Sequence, residues 1–226
     1  MLFYLYSVCK VCYHSSGVIM ASFIIVDDHP LLRLAVRNIL EKENHSVLAE
    51  ASDGNGLVKL LLNSKTDILI LDIDMPGPDG IEIICDIRQA GIHIPIIVIS
   101  GKNASYYAPL TIKSGANGFI SKKNGLDVLL SAVNAAISGY GYFPFPKNEI
   151  YNSSHLKTDA ERLQTLSRRE FEILHFLGGG RELISIANQL KISTKTVSTY
   201  KARLMQKLAL KNHYHLLDFT RRNNIN

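Results

Sequence analysis

Four apolar runs end in side chains that can do chemistry. The run 22–26 is followed by Asp27 and Asp28, the run 67–71 by Asp72, the run 94–99 by Ser100 and the run 118–121 by Lys122. Three carboxylates brought together repel: at ~5 Å and an effective dielectric of ~20, each pair costs about 3 kcal/mol. A cation must compensate. A hard divalent ion such as Mg²⁺ suits one or two carboxylates, water and a phosphate. A carboxylate can also attack a phosphoryl group and become an aspartyl phosphate. Mg²⁺, a Lys ammonium and a Ser hydroxyl would then hold the three equatorial oxygens. Any one of these residues alone is a solvated loop residue; the set together asks for a site.

The elements that must position them alternate. Short apolar runs at 22–26, 47–51, 67–71, 94–99 and 118–121 read as strands. Stretches 31–40, 56–62, 81–88, 105–114 and 126–138 carry apolar residues at helical spacing. Five strands alternating with five helices predict a doubly wound parallel sheet covered on both faces. Ligands in such sheets bind at the carboxyl ends of the strands. All four polar strand ends therefore fall on one rim.

Charge divides the chain further. The 226 residues carry a net +5, yet 20–140 holds 10 basic and 13 acidic side chains while 165–226 holds 11 and 4. An acidic large part is thus joined to a basic small part, a hint of nucleic-acid contact. Three cysteines are too few for a disulfide framework. No apolar stretch approaches the ~20 residues that span a bilayer, so no membrane insertion is expected. The segment from 143 to 160 contains Pro144 and Pro146 and reads as an extended linker. Residues 1–19 show no helix or strand period and read as a non-native or disordered extension, with Met20 as the natural start. Cys9 and Cys12 form a lone CxxC without a second ligand pair.

The acidic part resembles the receiver domain of bacterial response regulators, a flavodoxin-like fold, over about 22–140. The resemblance rests on VDDHP (26–30), LDIDMPGPDG (71–80), VIS (98–100) and GANGFISKK (115–123). It implies that Asp72 is the phospho-acceptor. Asp27 and Asp28 would hold Mg²⁺ together with Asp72 and the backbone carbonyl of Asp74. Ser100 and Lys122 would contact the phosphoryl group, and Phe119 matches an aromatic switch position. The Asp72-Ile73-Asp74 run also resembles the nucleophile motif of haloacid-dehalogenase phosphatases. Those place it on the first strand, followed by a Gly-Thr-like pair; here it ends the third and is followed by Met75-Pro76.

The basic part, 161–226, has helical periods throughout and predicts a small all-α domain. Ser167 with Glu170 forms a capping box for a helix over 168–177, and three glycines at 178–180 end it. Helices over 182–190 and 194–208, joined by a short turn, suit a helix-turn-helix whose second helix enters the major groove. A last helix is expected over 213–222. LSRREFEIL (166–174), IANQL (186–190) and ISTKTVSTYKARLMQKL (192–208) resemble the LuxR-type DNA-binding domain. By that pattern Ser198, Thr199 and Ala202 face bases, while Lys195, Thr196, Lys201 and Arg203 meet phosphate. Val197 and Leu204 belong to the core, and Lys207 and Lys211 are solvated charges as readily as contacts. Where many members carry a polar cap before the scaffold helix, this chain has Glu182, Leu183 and Ile184.

A receiver followed by this domain is the NarL/FixJ layout. The runs KTVSTYK (195–201) and GYGYFPF (139–145) resemble the BvgA/EvgA subgroup of virulence and stress regulators. The resemblance implies a cytoplasmic bacterial regulator and not an enzyme. Its expected partners are a sensor histidine kinase or phosphotransfer domain, promoter half-sites on double-stranded DNA, a second copy of the chain and RNA polymerase. A regulator that keeps the receiver only as a dimer module is the alternative, and the intact acidic and basic set argues against it.

Overall fold

The computed structural model describes residues 12–13, 19–144 and 158–225. The chain divides into two compact units, 1–144 and 145–226.

The first unit holds a five-stranded parallel sheet. Its strands are β3 (Ser22–Val26), β4 (Ser46–Ala51), β5 (Ile68–Leu71), β6 (Ile96–Ser100) and β7 (Gly118–Ser121). Their order across the sheet is β4-β3-β5-β6-β7. The chain steps outward from β3 to β4, then returns to the other side of β3 to lay down β5, so the switch point lies beside the end of β3. The helices are α1 (Pro30–Lys42), α2 (Leu57–Leu62), α3 (Gly80–Gln89), α4 (Ala104–Ser114) and α5 (Leu129–Ile137). Alternation along the strands makes two cores. Phe23, Ile25, Ile70, Ile97, Ile99 and Ile120 pack with Val36 and Leu40 of α1 and with Leu129 and Val133 of α5. The intervening Ile24, Val26, Leu69, Leu71, Val98 and Phe119 are buried on the opposite face.

Several boundaries move by a few residues from those expected, three of them for a clear local reason. β6 begins at Ile96, not 94, because Pro95 has no N–H to give; its carbonyl accepts from Leu69 N at 2.9 Å. Ser100 is accordingly the last residue of the strand. α5 begins at Leu129, not 126, after a turn closed by Leu129 N to Leu126 O. Gly80 opens α3 so close to Ile73 that a Cβ there would lie 2.3 Å from Ile73 Cα. That approach holds the loop after Asp72 against the sheet.

The expectation for residues 1–19 falls largely outside the described residues. Of that segment, β1 (Cys12–Tyr13) pairs antiparallel with β2 (Ile19–Met20). The expected linker also lies mostly outside them, but its upper bound of 160 is too late. A helix missed in the sequence, α6 (Asp159–Leu163), begins two residues before 161, and Thr158 and Glu161 form its capping box. Five residues are too few to show a helical period.

The second unit continues with α7 (Arg168–Gly178), α8 (Leu183–Leu190), α9 (Thr194–Lys207) and α10 (His213–Arg222). The Ser167–Glu170 capping box is present in both directions. Gly180 takes φ 75° and turns the chain out of α7. Lys191 closes α8 in the left-handed region at φ 54°, and Ser193 caps α9 by accepting from Thr196 N at 3.1 Å. Leu174, Ile186, Val197, Leu204 and Phe219 are fully buried among these helices. Arg222 on α10 pairs with Asp159 at 2.6 Å and ties the last helix to α6.

Candidate functional site

The rim at the carboxyl ends of β3, β5, β6 and β7 brings the predicted set together. Asp72 directly follows β5 and is fully buried; Asp27 follows β3 and is 4% exposed. Lys122 follows β7 and bridges them, its Nζ 2.6 Å from Asp72 Oδ2 and 2.8 Å from Asp27 Oδ2. The other oxygen, Asp72 Oδ1, accepts from Asp74 N at 2.7 Å. Ser100 is fully buried at the end of β6, and its Oγ accepts from Lys102 N at 3.1 Å. Phe119 is fully buried on the face opposite Ile120.

Burial pushes the Asp72 carboxyl above its ordinary range, and the donors from Lys122 and Asp74 offset only part of that. Burial works against the Lys122 charge too, but the hydrogen bonds to Asp27 and Asp72 outweigh it and raise the ammonium. Lys122 is therefore firmly cationic, and it is one cation among three carboxylates.

The donor set fits a hard divalent cation. Ligand atoms of Asp27, Asp28, His29 and Asp72 all lie within 4.8 Å of one another. Asp28 Oδ1 is buried and accepts no hydrogen bond. His29 Nδ1 is 2.7 Å from it, but not in hydrogen-bonding geometry, so the contact leaves that oxygen available to a metal. Asp74 contributes differently from Asp27, Asp28 and Asp72: its side chain turns to Lys102, 3.4 Å from Nζ.

Three participants were not found from sequence. His29 donates its backbone N–H to Asp27 Oδ1 at 2.7 Å and sets the acidic pair. Arg33, one turn into α1, donates to the Asp27 carbonyl at 2.5 Å. Lys102 lies 5.0 Å from the Tyr107 ring centroid while it pairs with Asp74. For His29 the signal was adjacency to Asp28; Arg33 and Lys102 carry none beyond charge.

In the second unit, α9 sorts its side chains as expected. Val197 and Leu204 are buried, while Lys195, Ser198, Thr199, Ala202 and Arg203 are exposed. Lys201 and Thr196 are half-buried. Among the described residues no carboxylate pairs with Lys195, Lys201 or Arg203. Those charges are free for an outside polyanion. Thr196 is partly engaged within the chain, its Oγ1 2.8 Å from Ser193 Oγ at the helix cap. Lys207 belongs elsewhere: its Nζ is 2.6 Å from Glu170 Oε2. Glu182 stands at the N-cap of α8 without a side-chain bond to the helix, and Ile184 is 63% exposed.

Comparison with known proteins agrees with both domain assignments. The response regulator receiver domain family matches residues 23–134, and the luxR family of bacterial regulatory proteins matches 164–220. The chain is 41% identical over 202 residues to the DNA-binding transcriptional activator EvgA of Escherichia coli K12, covering 89% of this chain and 98% of that one. It is 36% identical over 203 residues to the virulence-factor transcription regulator BvgA of Bordetella pertussis, covering 89% and 97%. RcsB of Salmonella enterica serovar Typhimurium, solved bound to a promoter with the phosphomimetic BeF3⁻, superposes with a TM-score of 0.55 at 28% identity, covering 88% and 97%. With a receiver rim in one unit and a helix-turn-helix in the other, the chain belongs to the NarL/FixJ family of two-component response regulators, which carry a LuxR-type DNA-binding domain.

Proposed function

We propose that Asp72 accepts a phosphoryl group from a sensor histidine kinase or phosphotransfer domain, and that the modified chain binds promoter half-sites as a dimer and activates transcription. The observation that carries this reading is Lys122 bridging Asp72 and Asp27 at 2.6 and 2.8 Å on the strand-end rim.

The donor's P–N bond breaks with its electron pair moving to the imidazole nitrogen, while an Asp72 carboxylate oxygen forms the new O–P bond. Asp27, Asp28 and Asp72 would hold Mg²⁺, with the Asp74 carbonyl as a further ligand; when bound it neutralises charge on the phosphoryl oxygens. Asp74 N–H fixes the Asp72 carboxylate for attack. Lys122 gives up its contact with Asp72 Oδ2 and pairs with a phosphoryl oxygen. The Ser100 hydroxyl exchanges its local contact with Lys102 N for another phosphoryl oxygen, and Phe119 follows on the adjacent strand. The product is a signal and not a released compound, so the chain is a regulator and not an enzyme.

The DNA half of the proposal rests on the exposed face of α9. Ser198, Thr199 and Ala202 meet base edges; Lys195, Thr196, Lys201 and Arg203 meet phosphate. Small residues at the base-facing positions leave much of the specificity to DNA shape and half-site spacing. RNA polymerase is the next partner of a DNA-bound activator. The likeness to EvgA and BvgA supports virulence or stress genes as targets and a cytoplasmic site of action.

The test is genome-wide DNA binding of the wild-type chain against Asp72→Asn under inducing conditions. Promoter occupancy that depends on Asp72 supports the reading. Identical occupancy in both would overturn it in favour of a phosphorylation-independent regulator.

A further inference from the structure

The outer edge of β7 is covered by the chain that leaves the first unit. Tyr142 lies alongside Gly118 in a parallel bridge. The Phe119 N–H donates to the Tyr142 carbonyl at 2.7 Å, and the Tyr142 N–H donates to the Asn117 carbonyl at 3.0 Å. The Tyr142 side chain packs onto the sheet core beside α5. Gly118 makes this approach possible: a Cβ there would lie 3.3 Å from the Tyr142 carbonyl oxygen. Residues 141–143 thus act as a sixth, two-bond strand on the outer edge of β7.

The same strand ends in the phospho-site. Phe119 is held by Tyr142 at one end of β7, and Lys122 follows at the other. At 2.6 Å, Lys122 Nζ and Asp72 Oδ2 leave no room for a phosphoryl oxygen between them. Phosphorylation therefore displaces the Lys122 ammonium, whose backbone runs on directly from the end of β7. On its inner side β7 is fixed to β6 by a full ladder; on its outer side two hydrogen bonds hold it among the described residues. The outer contact is the weaker one and yields first.

We infer that residues 141–143 form a strap that is seated on β7 when Asp72 is unmodified and released when it is phosphorylated, which frees the chain leading to the DNA-binding unit. This inference rests on the proposed phosphorylation of Asp72. It assigns the route by which that event leaves the receiver.

The experiment is hydrogen–deuterium exchange on the full chain, with and without acetyl phosphate and Mg²⁺, alongside intact mass. A missing mass increase would defeat the phospho-acceptor reading itself. With the mass increase present, the Phe119 and Tyr142 amides are expected to exchange about tenfold faster; unchanged protection overturns the strap. Two variants serve as controls on cause. Tyr142→Pro deletes the N–H bonded to Asn117, and Gly118→Ala crowds the Tyr142 carbonyl. Both are expected to label at Asp72, to expose the Phe119 amide without donor, and to bind DNA with a smaller donor-dependent gain than wild type. Labelled variants that keep the full gain in DNA binding also overturn the inference.

Discussion

Lys207, the last residue of α9, places its Nζ 2.6 Å from Glu170 Oε2, which also accepts from Ser167 N at 2.7 Å. One buried carboxylate thus joins the N-terminal cap of α7 to the end of α9. Burial works to raise the Glu170 carboxyl, but the bond from Lys207 and the two bonds with Ser167 outweigh it and hold it below its ordinary 4.5. A carboxyl depressed on folding contributes stability above its unfolded value, and that contribution is lost as pH falls through the folded value. The second unit is therefore expected to weaken as pH drops below 4.5. Lys207→Met should cost about 1–2 kcal/mol at pH 7, because it leaves a buried charge with fewer donors. Changing Arg221, in an exposed pair with Asp218, should cost no more than about 0.5 kcal/mol. Urea unfolding of both variants at pH 7 and pH 4 checks the contrast; equal losses for the two would remove the special role given to Lys207.

Asp72→Asn is expected to abolish labelling by acetyl phosphate, while the nearby Asp74→Asn labels at a changed rate. Asp74 reaches the acceptor through its backbone N–H, which the substitution keeps. Among the described residues its side chain pairs with Lys102, 3.4 Å away. Intact mass after donor treatment reads both. Labelling of Asp72→Asn at the wild-type level would place the acceptor elsewhere.

The rim was legible in the sequence because parallel strands deliver their carboxyl ends to one side, so polar residues after apolar runs converge without any further information. The α9 face was legible for the same kind of reason: a 3.6-residue period separates Val197 and Leu204 from Ser198, Thr199 and Arg203. What stayed hidden depends on pairing across the fold. Glu170 and Lys207 are 37 positions apart, and neither residue type announces the other. The Tyr142 contact with β7 is made by backbone atoms, which leave no side-chain signature. α6 escaped because it is a single capped turn, although Thr158 and Glu161 carry the capping-box spacing.

Asp28 adds a carboxylate oxygen that is buried without a donor. With Asp27 and Asp72 beside it, this oxygen raises the energy of the metal-free fold. Asp28→Asn is expected to unfold at a higher temperature than wild type without Mg²⁺. On addition of Mg²⁺ it should gain less. A ligand that binds only the folded state at a hundred times its Kd stabilises by about 2.7 kcal/mol, so the wild-type shift is measurable by thermal unfolding. Equal Mg²⁺ shifts in both proteins would remove Asp28 from the metal site.

His45 is buried at 9% exposure, and its Nδ1 accepts from Ala21 N at 3.2 Å, which requires an unprotonated Nδ1. Burial lowers the imidazole from its ordinary 6.5, with Glu43 pulling weakly the other way. Folded His45 therefore resists protonation that the unfolded chain accepts. Its contribution is complete above 6.5 and declines as pH falls below it. Receiver stability should drop between neutral and mildly acid pH. His45→Asn, whose Oδ1 stands where the His Nδ1 does and which does not titrate, should flatten that slope. An unaltered slope would assign the pH response to other groups.

On DNA, the α9 residues divide into two classes that salt can separate. Each phosphate contact releases counterions, so log K against log salt carries a slope of about −0.9 per contact. Lys195, Lys201 and Arg203 make no ion pair within the described residues, so their charge is not already spent inside the protein. Lys195→Ala, Lys201→Ala and Arg203→Ala are each expected to weaken binding on specific and random DNA alike and to reduce the slope by about 1. Ser198→Ala and Thr199→Ala should leave the slope unchanged and alter which half-sites are preferred. Thr199 already donates its hydroxyl to the Lys195 carbonyl at 3.0 Å, so it offers the groove its methyl and two acceptor lone pairs but no donor. That predicts a contact with a thymine methyl more than a hydrogen-bonded readout, and its loss should cost about 1 kcal/mol at the affected base pair. A slope change in the Ser198 and Thr199 variants, with no change in preferred sequence, would reverse the assignment of the two classes.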